Sequence, residues 1–486
     1  MVDIEINALG KRTKINNFYN AIHFHPTDAI EDKWGQNILN SIAEDKAASF
    51  VRMYSMFEDI VSRDEKGNLV YDFELNDKRI DYLVEKGFTL LICYNFMPDC
   101  IASVPNRDMG IPRYKGKTVN NSVPSDYDLW EEVCFRYTEH LLNRYGENTL
   151  SQWRFHCWNE PDHEYWVTSK SCFDYERDGD NDKITEYTKL YNSFWSGVKK
   201  AYPQAKAGGP SAAMSDKFIS DFLDNIGSNL DFLSIHAYSD IEYSNTSGKI
   251  DPNNILKRVQ SARCMLDERG LYDTEIILDE WGAAAGGFLS VKKNPEMIFC
   301  ENEYFPAFYF ALINLIAKSD YKLYKMLICL SGQHKSTYDF DGYRSFFTLS
   351  GFPKPIYNGY CLAGHLGNDW LECDGDYIAT INEKQNLIIA LYSLENATKE
   401  INLTIKGLNG GYTVKRYIID DTHSNAYSVW LSEGSPKEMD NNMKESIKNS
   451  GKLDVSEEKI YTDGEYHENI TLRSCGVTLI EFVGEE

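Results

Sequence analysis

The sequence predicts a (β/α)₈ barrel followed by an antiparallel β-sandwich, and three observations carry this prediction. The first is a regular alternation of short apolar runs and amphipathic stretches between about residues 18 and 330. The second is a pair of glutamates, Glu160 and Glu280, each of which follows an apolar run where a strand should end. The third is a change near residue 365 to short strands separated by Asn- and Gly-containing turns, which is typical of antiparallel sheets.

The alternating part of the chain predicts eight strands with helices between them. The strands lie near Phe18, Phe50, Phe88, Trp153, Ala205, Phe232, Ile276 and Leu323. The helical patterns cover residues 38–47, 80–85, 129–145, 185–201, 218–226, 255–269 and 305–318. A doubly wound open sheet is the alternative, but it would place a Gly-rich phosphate loop after the first strand, and the sequence has none there.

The same patterns divide the chain into two predicted domains. The barrel covers residues 11–365 and the β-sandwich covers residues 366–486. The separate strand at residues 1–10 is expected to join the sandwich. The predicted strands of the sandwich are residues 377–381, 387–392, 399–405, 412–418 and 477–482.

The stretch around Glu160 carries the first chemical signal. Residues 153–158 alternate large apolar and smaller or polar side chains, which favours a strand with two different faces. Pro161 cannot continue a ladder of hydrogen bonds, so Glu160 lies at the carboxyl end of that strand. In a barrel of this kind, catalytic groups are carried at that rim. Taken alone, Glu160 is explained equally well as a solvated loop acid.

Glu280 repeats the pattern after the apolar run at residues 276–278. Two carboxylates at the ends of strands four and seven suit a reaction at an anomeric carbon, because one can protonate the leaving oxygen while the other attacks. Trp158, Trp166 and Trp281 would offer flat faces to a sugar ring and desolvate the acid. This chemistry requires no metal and no cofactor.

The composition limits the classes of partner. A formal net charge of −24 argues against nucleic acid and anionic membranes, which bind basic surfaces. The cysteines are an odd number, 11, without the close pairs of a zinc site, which indicates a reducing compartment. The N-terminus lacks the basic start and apolar core of a signal peptide, although a trimmed chain would look the same. We therefore expect a cytoplasmic protein without a membrane span, and the sequence leaves a homo-oligomer open.

Several short motifs follow one another in a fixed order along nearly the whole chain. They are Phe50-Val51-Arg52, Asn95-Phe96-Met97-Pro98, Asn143-Arg144-Tyr145-Gly146, Trp158-Asn159-Glu160-Pro161, Gly208-Gly209-Pro210, His236-Ala237-Tyr238, Lys354-Pro355 and the segment 420–430. In this order the motifs resemble glycoside hydrolase family 39, which contains β-xylosidases and α-L-iduronidases. That family belongs to a clan of retaining enzymes with catalytic acids after strands four and seven.

The resemblance implies that Glu160 is the general acid/base and Glu280 the nucleophile. It also implies an oligosaccharide substrate and an exo-acting, β-xylosidase-like activity on plant-type sugars. The residues expected to contact the sugar or position the two carboxylates are Asn159, His236, Tyr238, Arg52, Tyr54, Trp281 and Lys335. For His236 and Arg52, a purely structural role in the core remains an alternative.

The sequence also departs from the family pattern. The xylosidases carry Arg-x-His after strand two, where this chain has Arg52-Met53-Tyr54. Their last strand supplies a Trp and then a glutamate pair, and residues 328–336 contain neither. Lys335, His334 or Arg344 could instead pair with a carboxylate, so the substrate could be a uronide or another decorated sugar. The alternative is that these three are solvated loop charges.

Two other functions fit the same pattern. The chain could be a carbohydrate-binding protein on a barrel that has lost catalysis, although both acids and Asn159 are retained. It could also act within a polymer, with the loop at residues 98–126 framing or blocking the cleft.

Overall fold

The structure is a computed structural model and describes residues 2–24, 30–106, 119–163, 166, 181–287, 289–330 and 336–485. Its strands are β1 (Val2–Asn7), β2 (Arg12–Lys14), β3 (Ala21–Phe24), β4 (Phe50–Tyr54), β5 (Val61–Arg63), β6 (Leu69–Tyr71), β7 (Thr89–Tyr94), β8 (Arg154–Cys157), β9 (Ala207–Ala212), β10 (Phe232–Tyr238), β11 (Glu275–Gly282), β12 (Leu323–Leu330), β13 (Asp369–Leu371), β14 (Tyr377–Ile381), β15 (Leu387–Tyr392), β16 (Lys399–Ile419), β17 (Asp454–Leu472) and β18 (Val477–Gly484). Its α-helices are α1 (Lys33–Glu44), α2 (Glu74–Glu85), α3 (Tyr127–Tyr145), α4 (Glu147–Leu150), α5 (Asn181–Ala201), α6 (Asp216–Asn225), α7 (Pro252–Asp267), α8 (Tyr304–Ala317), α9 (Pro355–Ala363), α10 (Ala426–Ser432) and α11 (Asn441–Ser450). Short 3₁₀ helices cover Phe57–Asp59, Asp99–Ile101 and Pro295–Cys300.

Eight parallel strands close into a barrel in the order β3, β4, β7, β8, β9, β10, β11, β12, and β12 pairs with β3. The predicted (β/α)₈ barrel is therefore confirmed. Its strands are buried on both faces, as every residue of β4 and β10 shows. This burial follows from the architecture, because helices cover the outside while side chains fill the inside.

Helix α3 begins and ends at sequence signals, whereas α1 and α2 begin before the predicted starts at residues 38 and 80. Asp126 caps α3 by accepting a hydrogen bond from the backbone N–H of Asp128, and Gly146 ends the helix with a φ of 78°. Helix α8 is apolar on nearly all sides, because it lies between the barrel and the second sheet and contacts both β15 and β18. No helix in the described part of the chain combines the length and apolarity needed to cross a bilayer.

The region after the barrel is rich in β-strands, as predicted. Its strands form one eight-stranded sheet in the order β1-β16-β18-β15-β14-β13-β2, with β17 on the free side of β16. All pairings are antiparallel except that of β1 with β16, which is parallel. The 21-residue β16 pairs with β1 along its first half and with β18 along its second, so the described strands are connected into one sheet. Their arrangement as a sandwich stays a prediction.

The two faces of this sheet serve different cores. On β15, Ile388 packs with the barrel core whereas its neighbour Ile389 packs in a separate core with Ile4, Ile401 and Phe482. This division reflects the two-residue period of a strand. Strands β1 and β2, which precede the barrel, both belong to the sheet. The predicted domain limits themselves stay predictions.

Candidate active site

The two glutamates meet at the carboxyl end of the barrel. Glu160 follows β8 by three residues, and Glu280 is the sixth residue of β11. A carboxylate oxygen of each lies within 4.8 Å of the other. This separation is close to the ~5–5.5 Å between the carboxyl groups of retaining glycosidases. It is shorter than the ~6.5–9.5 Å that leaves room for a water molecule in inverting ones.

The backbone turns sharply to present Glu160. Trp158 and Glu160 have φ values of 67° and 49°, in the left-handed region that non-glycine residues rarely adopt. Backbone hydrogen bonds hold this conformation, from the N–H of Trp158 to the carbonyl of Tyr94 (3.1 Å) and from the N–H of Glu160 to the carbonyl of Ser211 (3.0 Å). The turn after β8 is thus anchored to the neighbouring strands β7 and β9.

Glu280 lies among hydrogen-bond donors. Its Oε1 accepts from Arg52 Nη1 (2.7 Å) and lies 3.1 Å from His23 Nδ1, while its Oε2 accepts from the Tyr238 hydroxyl (2.9 Å). Burial raises the pKa of Glu280, but the charge of His236, the hydrogen bond from His23 and the charge of Arg52 hold that pKa well below its usual range. Glu280 is therefore ionised, as an attacking carboxylate must be.

Glu160 has a different environment. Its Oε1 lies 2.8 Å from His236 Nδ1, which is itself 3.7 Å from Oε2 of Glu280. Burial lowers the pKa of His236, but the charges of Glu280 and Asp279 raise it to about 10. Burial raises the pKa of Glu160, and the hydrogen bond and charge of His236 lower it below its ordinary value. His236 and Glu160 therefore form a charged pair.

Arg52 connects the groups of the site. Its Nη2 donates to Asn159 Oδ1 (2.6 Å) and Ser211 Oγ (3.1 Å), and its Nε donates to His156 Nε2 (3.1 Å). With the bond to Glu280, the guanidinium uses its planar set of donors in a way that a lysine could not reproduce. Burial lowers its pKa, but Asp279 and other neighbours raise it well above the ordinary value.

A buried polar layer lies beneath the two glutamates, and sequence reasoning missed it. Its members are His23, His156, Ser211 and Asp279, each at most 1% exposed. Asp279 Oδ2 accepts a hydrogen bond from Ser211 (2.6 Å) and lies 3.3 Å from Arg52 Nη2. The available signal was polar side chains inside strands that are otherwise apolar.

Tyr54 and Trp281 are both expected to contact the sugar, but they lie in different places. Tyr54 lies in the site, where its ring centroid is 5.2 Å from that of His23 and 5.2 Å from the Arg52 guanidinium. Trp281 does not, because it follows Glu280 on a strand and is directed outward, where it is fully buried and stacks on Tyr309 of α8 (5.7 Å, 12°).

The expected role of Trp281 as a sugar-binding face is therefore wrong. Trp158 and Trp166 are also fully buried, with ring centroids 6.3 Å apart, so they support the site from within the core.

Three basic residues after the last barrel strand are candidates to pair with a sugar carboxylate, and the structure describes one of them, Arg344. Lys335 and His334 lie outside the described residues. Arg344 is buried with its guanidinium 4.9 Å from the ring centroid of Tyr238, and it fills the space beside Gly287, where an added Cβ would lie 2.1 Å from Arg344 Cγ. This places a permanent positive charge near the residue that holds Glu280.

Within the described residues, two trios have possible metal-ligating atoms within 4.8 Å of one another. They are His23, Glu280 and Cys329, and Glu160, His236 and Glu280. Both include Glu280, whose oxygens are already bonded by Arg52 and Tyr238. The adjacent guanidinium would repel a cation at either place.

A closed parallel barrel with two carboxylates at this separation on its rim is the site of a glycoside hydrolase. The model of glycosyl hydrolases family 39 matches residues 2–456, and the chain belongs to this family. It is 26% identical over 469 residues to a β-xylosidase of Caldicellulosiruptor saccharolyticus, covering 90% of this chain and 88% of that protein. It is 24% identical over 208 residues to an α-L-iduronidase of Mus musculus, covering 38% of this chain and 28% of that one. Its fold matches the crystal structure of a monomeric β-xylosidase from Caulobacter crescentus CB15 with a TM-score of 0.85 and 19% identity, over 100% of both chains.

Proposed function

We propose that this glycoside hydrolase is a retaining, exo-acting, β-xylosidase-like enzyme in which Glu280 is the nucleophile and Glu160 the acid/base. The observation that carries the proposal is the short distance between two carboxylates with unlike surroundings. The charges of His236 and Arg52 and the hydrogen bond from His23 hold Glu280 ionised, and its carboxylate attacks the anomeric carbon. Glu160 protonates the leaving oxygen and then activates the water that releases the sugar.

The other groups assist this double displacement. Because Arg52 donates to Asn159 Oδ1, it fixes the amide plane, and the amide nitrogen would donate to the sugar 2-hydroxyl. Such a bond strengthens as charge develops on the ring in the transition state. The Tyr238 hydroxyl donates to Oε2 of Glu280 and so fixes the orientation in which the carboxylate attacks.

A second substrate class has support from one residue. Arg344 is buried beside Tyr238, and its guanidinium could form a bidentate pair with a sugar carboxylate. The match to an α-L-iduronidase agrees with a uronide as the alternative to a xyloside.

A panel of aryl glycosides, including a β-xyloside and several uronides, tests both proposals. We expect the wild type to prefer the xyloside, Glu280→Gln to abolish turnover, and Glu160→Ala to slow it, with azide restoring part of the rate on substrates with good leaving groups. A uronide preference that is lost in Arg344→Gln or Lys335→Ala would select the second candidate instead. Failure of the wild type to hydrolyse any glycoside, or an active Glu280→Gln variant, would overturn the proposed mechanism.

A further inference from the structure

We infer that Asp279 and Ser211 are positioning residues that fix the protonation of His236, so that His236 and Glu160 together hold the one proton that the general acid needs. This inference rests on the proposed function, because it assumes that Glu160 is the acid/base. It gives a role to the buried polar layer beneath the site.

The Ser211 hydroxyl has three polar neighbours. Its Oγ lies 2.6 Å from Asp279 Oδ2, 2.9 Å from His236 Nε2 and 3.1 Å from Arg52 Nη2. Arg52 can only donate and ionised Asp279 can only accept, so the single hydroxyl proton lies in the short bond to Asp279. The serine oxygen must then accept from His236, and Nε2 of His236 carries a proton.

This assignment leaves one proton for the other side of the imidazole. His236 Nδ1 and Glu160 Oε1 are 2.8 Å apart, and the proton between them is held by one or the other. The negative charges of Asp279 and Glu280 favour the imidazolium in the resting enzyme. When Glu280 becomes an ester, its charge disappears and the imidazolium loses that stabilisation.

The proton transfers balance in both steps. As Glu280 bonds to the anomeric carbon, Glu160 gives a proton to the leaving oxygen, which takes the electron pair of the broken bond, and receives the proton of His236 Nδ1. In the second step a water oxygen bonds to the anomeric carbon, the ester bond to Glu280 breaks with its electron pair returning to the carboxylate, and the water proton returns through Glu160 to His236. The summed net charge of Glu160, His236 and Glu280 is the same before and after each step.

Several charged or titratable groups face His236. They are Glu160, Glu280, Asp279, His23, His156 and Arg52. Burial and Arg52 lower the pKa values of His23, to about 4, and of His156, so both are neutral. Burial raises the pKa of Asp279, but Arg52 and His236 lower it to about 2, so Asp279 is ionised at any working pH. Asp279 is therefore the charge that can be removed without changing a reacting atom.

The test compares Asp279→Asn and Ser211→Ala with wild type on two aryl glycosides of the same sugar, one with a dinitrophenyl and one with a poor leaving group. Loss of the acid matters only when the leaving group needs a proton. We expect kcat/KM on the poor substrate to fall about 100-fold in each variant, and on the activated substrate by less than about 10-fold. The alkaline limb of Asp279→Asn should move to lower pH, because the imidazolium has lost a neighbouring negative charge.

Glu275→Gln is the matched control. It neutralises a carboxylate at the other end of the same strand, where Glu275 pairs with Arg154 (3.0 Å), and it should leave both limbs of the pH profile unchanged. Equal losses on the two substrates without a shift of the alkaline limb would overturn the inference and assign Asp279 to the support of Arg52. Thermal unfolding checks each variant, and Ser211→Ala decides the question if Asp279→Asn does not fold. An inactive wild type would instead count against the proposed function.

Discussion

At the scale of single residues, the two glutamates differ through their neighbours. Glu280 faces Arg52, His23 and Tyr238, whereas Glu160 lies 2.8 Å from His236 Nδ1. The sequence predicted both glutamates because each ends an apolar run. It could not predict the role of His23, which lies on β3, because only closure of the barrel pairs β3 with β12 and so brings it within one strand of β11, which carries Glu280.

The hydroxyl of Tyr238 gives a prediction at this scale. It donates to Glu280 Oε2 at 2.9 Å, and a hydrogen bond to a charged acceptor is worth about 1.5–3 kcal/mol. We expect Tyr238→Phe to reduce kcat/KM by about 10- to 100-fold. Because the lost bond favoured the ionised form, the pKa of Glu280 should rise, and the acid limb of the pH profile should move to higher pH.

Tyr191→Phe is the control for this substitution. Tyr191 is equally buried, but its hydroxyl donates to the carbonyl of Asn229 (2.7 Å), away from the carboxylates. The pH profile of kcat/KM should be unchanged in that variant. An acid limb that stays in place in Tyr238→Phe would show that Tyr238 does not hold the Glu280 carboxylate.

At the scale of elements, the loop after β8 is fixed by one buried side chain. Asp162 is 3% exposed and accepts hydrogen bonds from the backbone N–H groups of Ala213 (2.8 Å), Met214 (2.8 Å) and Ser215 (2.9 Å). These groups lie between β9 and α6, so Asp162 attaches the loop that carries Glu160 to the next βα connection.

Removal of this side chain should therefore cost both stability and activity. We expect Asp162→Ala to lower the free energy of unfolding by about 3 kcal/mol, because three backbone N–H donors, two of them buried, lose their acceptor, and to reduce kcat by displacing Glu160. Asp126→Ala removes an exposed helix cap that accepts from one N–H group, and it should cost only about 1 kcal/mol. Urea unfolding and kcat measure both variants, and equal destabilisation by the two would contradict this role of Asp162.

The placement of Trp281 is explained at the scale of its strand. The sequence predicted β11 as a strand, but not the register shift in its pairing with β10 between Leu278 and Glu280, which lets Asp279 and Glu280 both face the site while Trp281 lies outward against α8. Trp281 therefore belongs to the packing between β11 and α8. Asp279 lies on the same strand, and the sequence could not predict its role because that role depends on Ser211 and His236 from two other strands.

At the scale of the whole molecule, the sequence predicted the barrel and the strand-rich region, because local periodicity changes clearly between them. It did not predict the parallel pairing of β1 with β16, which joins residues about 400 positions apart in the chain. The sheet and barrel share a continuous core through Ile378, Ile388 and Leu479, so the sheet stabilises the barrel from the side of α8. A cytoplasmic location and a homo-oligomer stay predictions.

The central claim is that the two carboxylates stand close enough for direct attack on the sugar. Proton NMR of the first sugar released from an aryl glycoside measures this most directly, because the anomeric configuration of the product depends on the separation of the carboxylates. The account predicts that the product first appears with the same anomeric configuration as the substrate. A product that first appears as the opposite anomer would require a water molecule between Glu160 and Glu280 and would contradict the account.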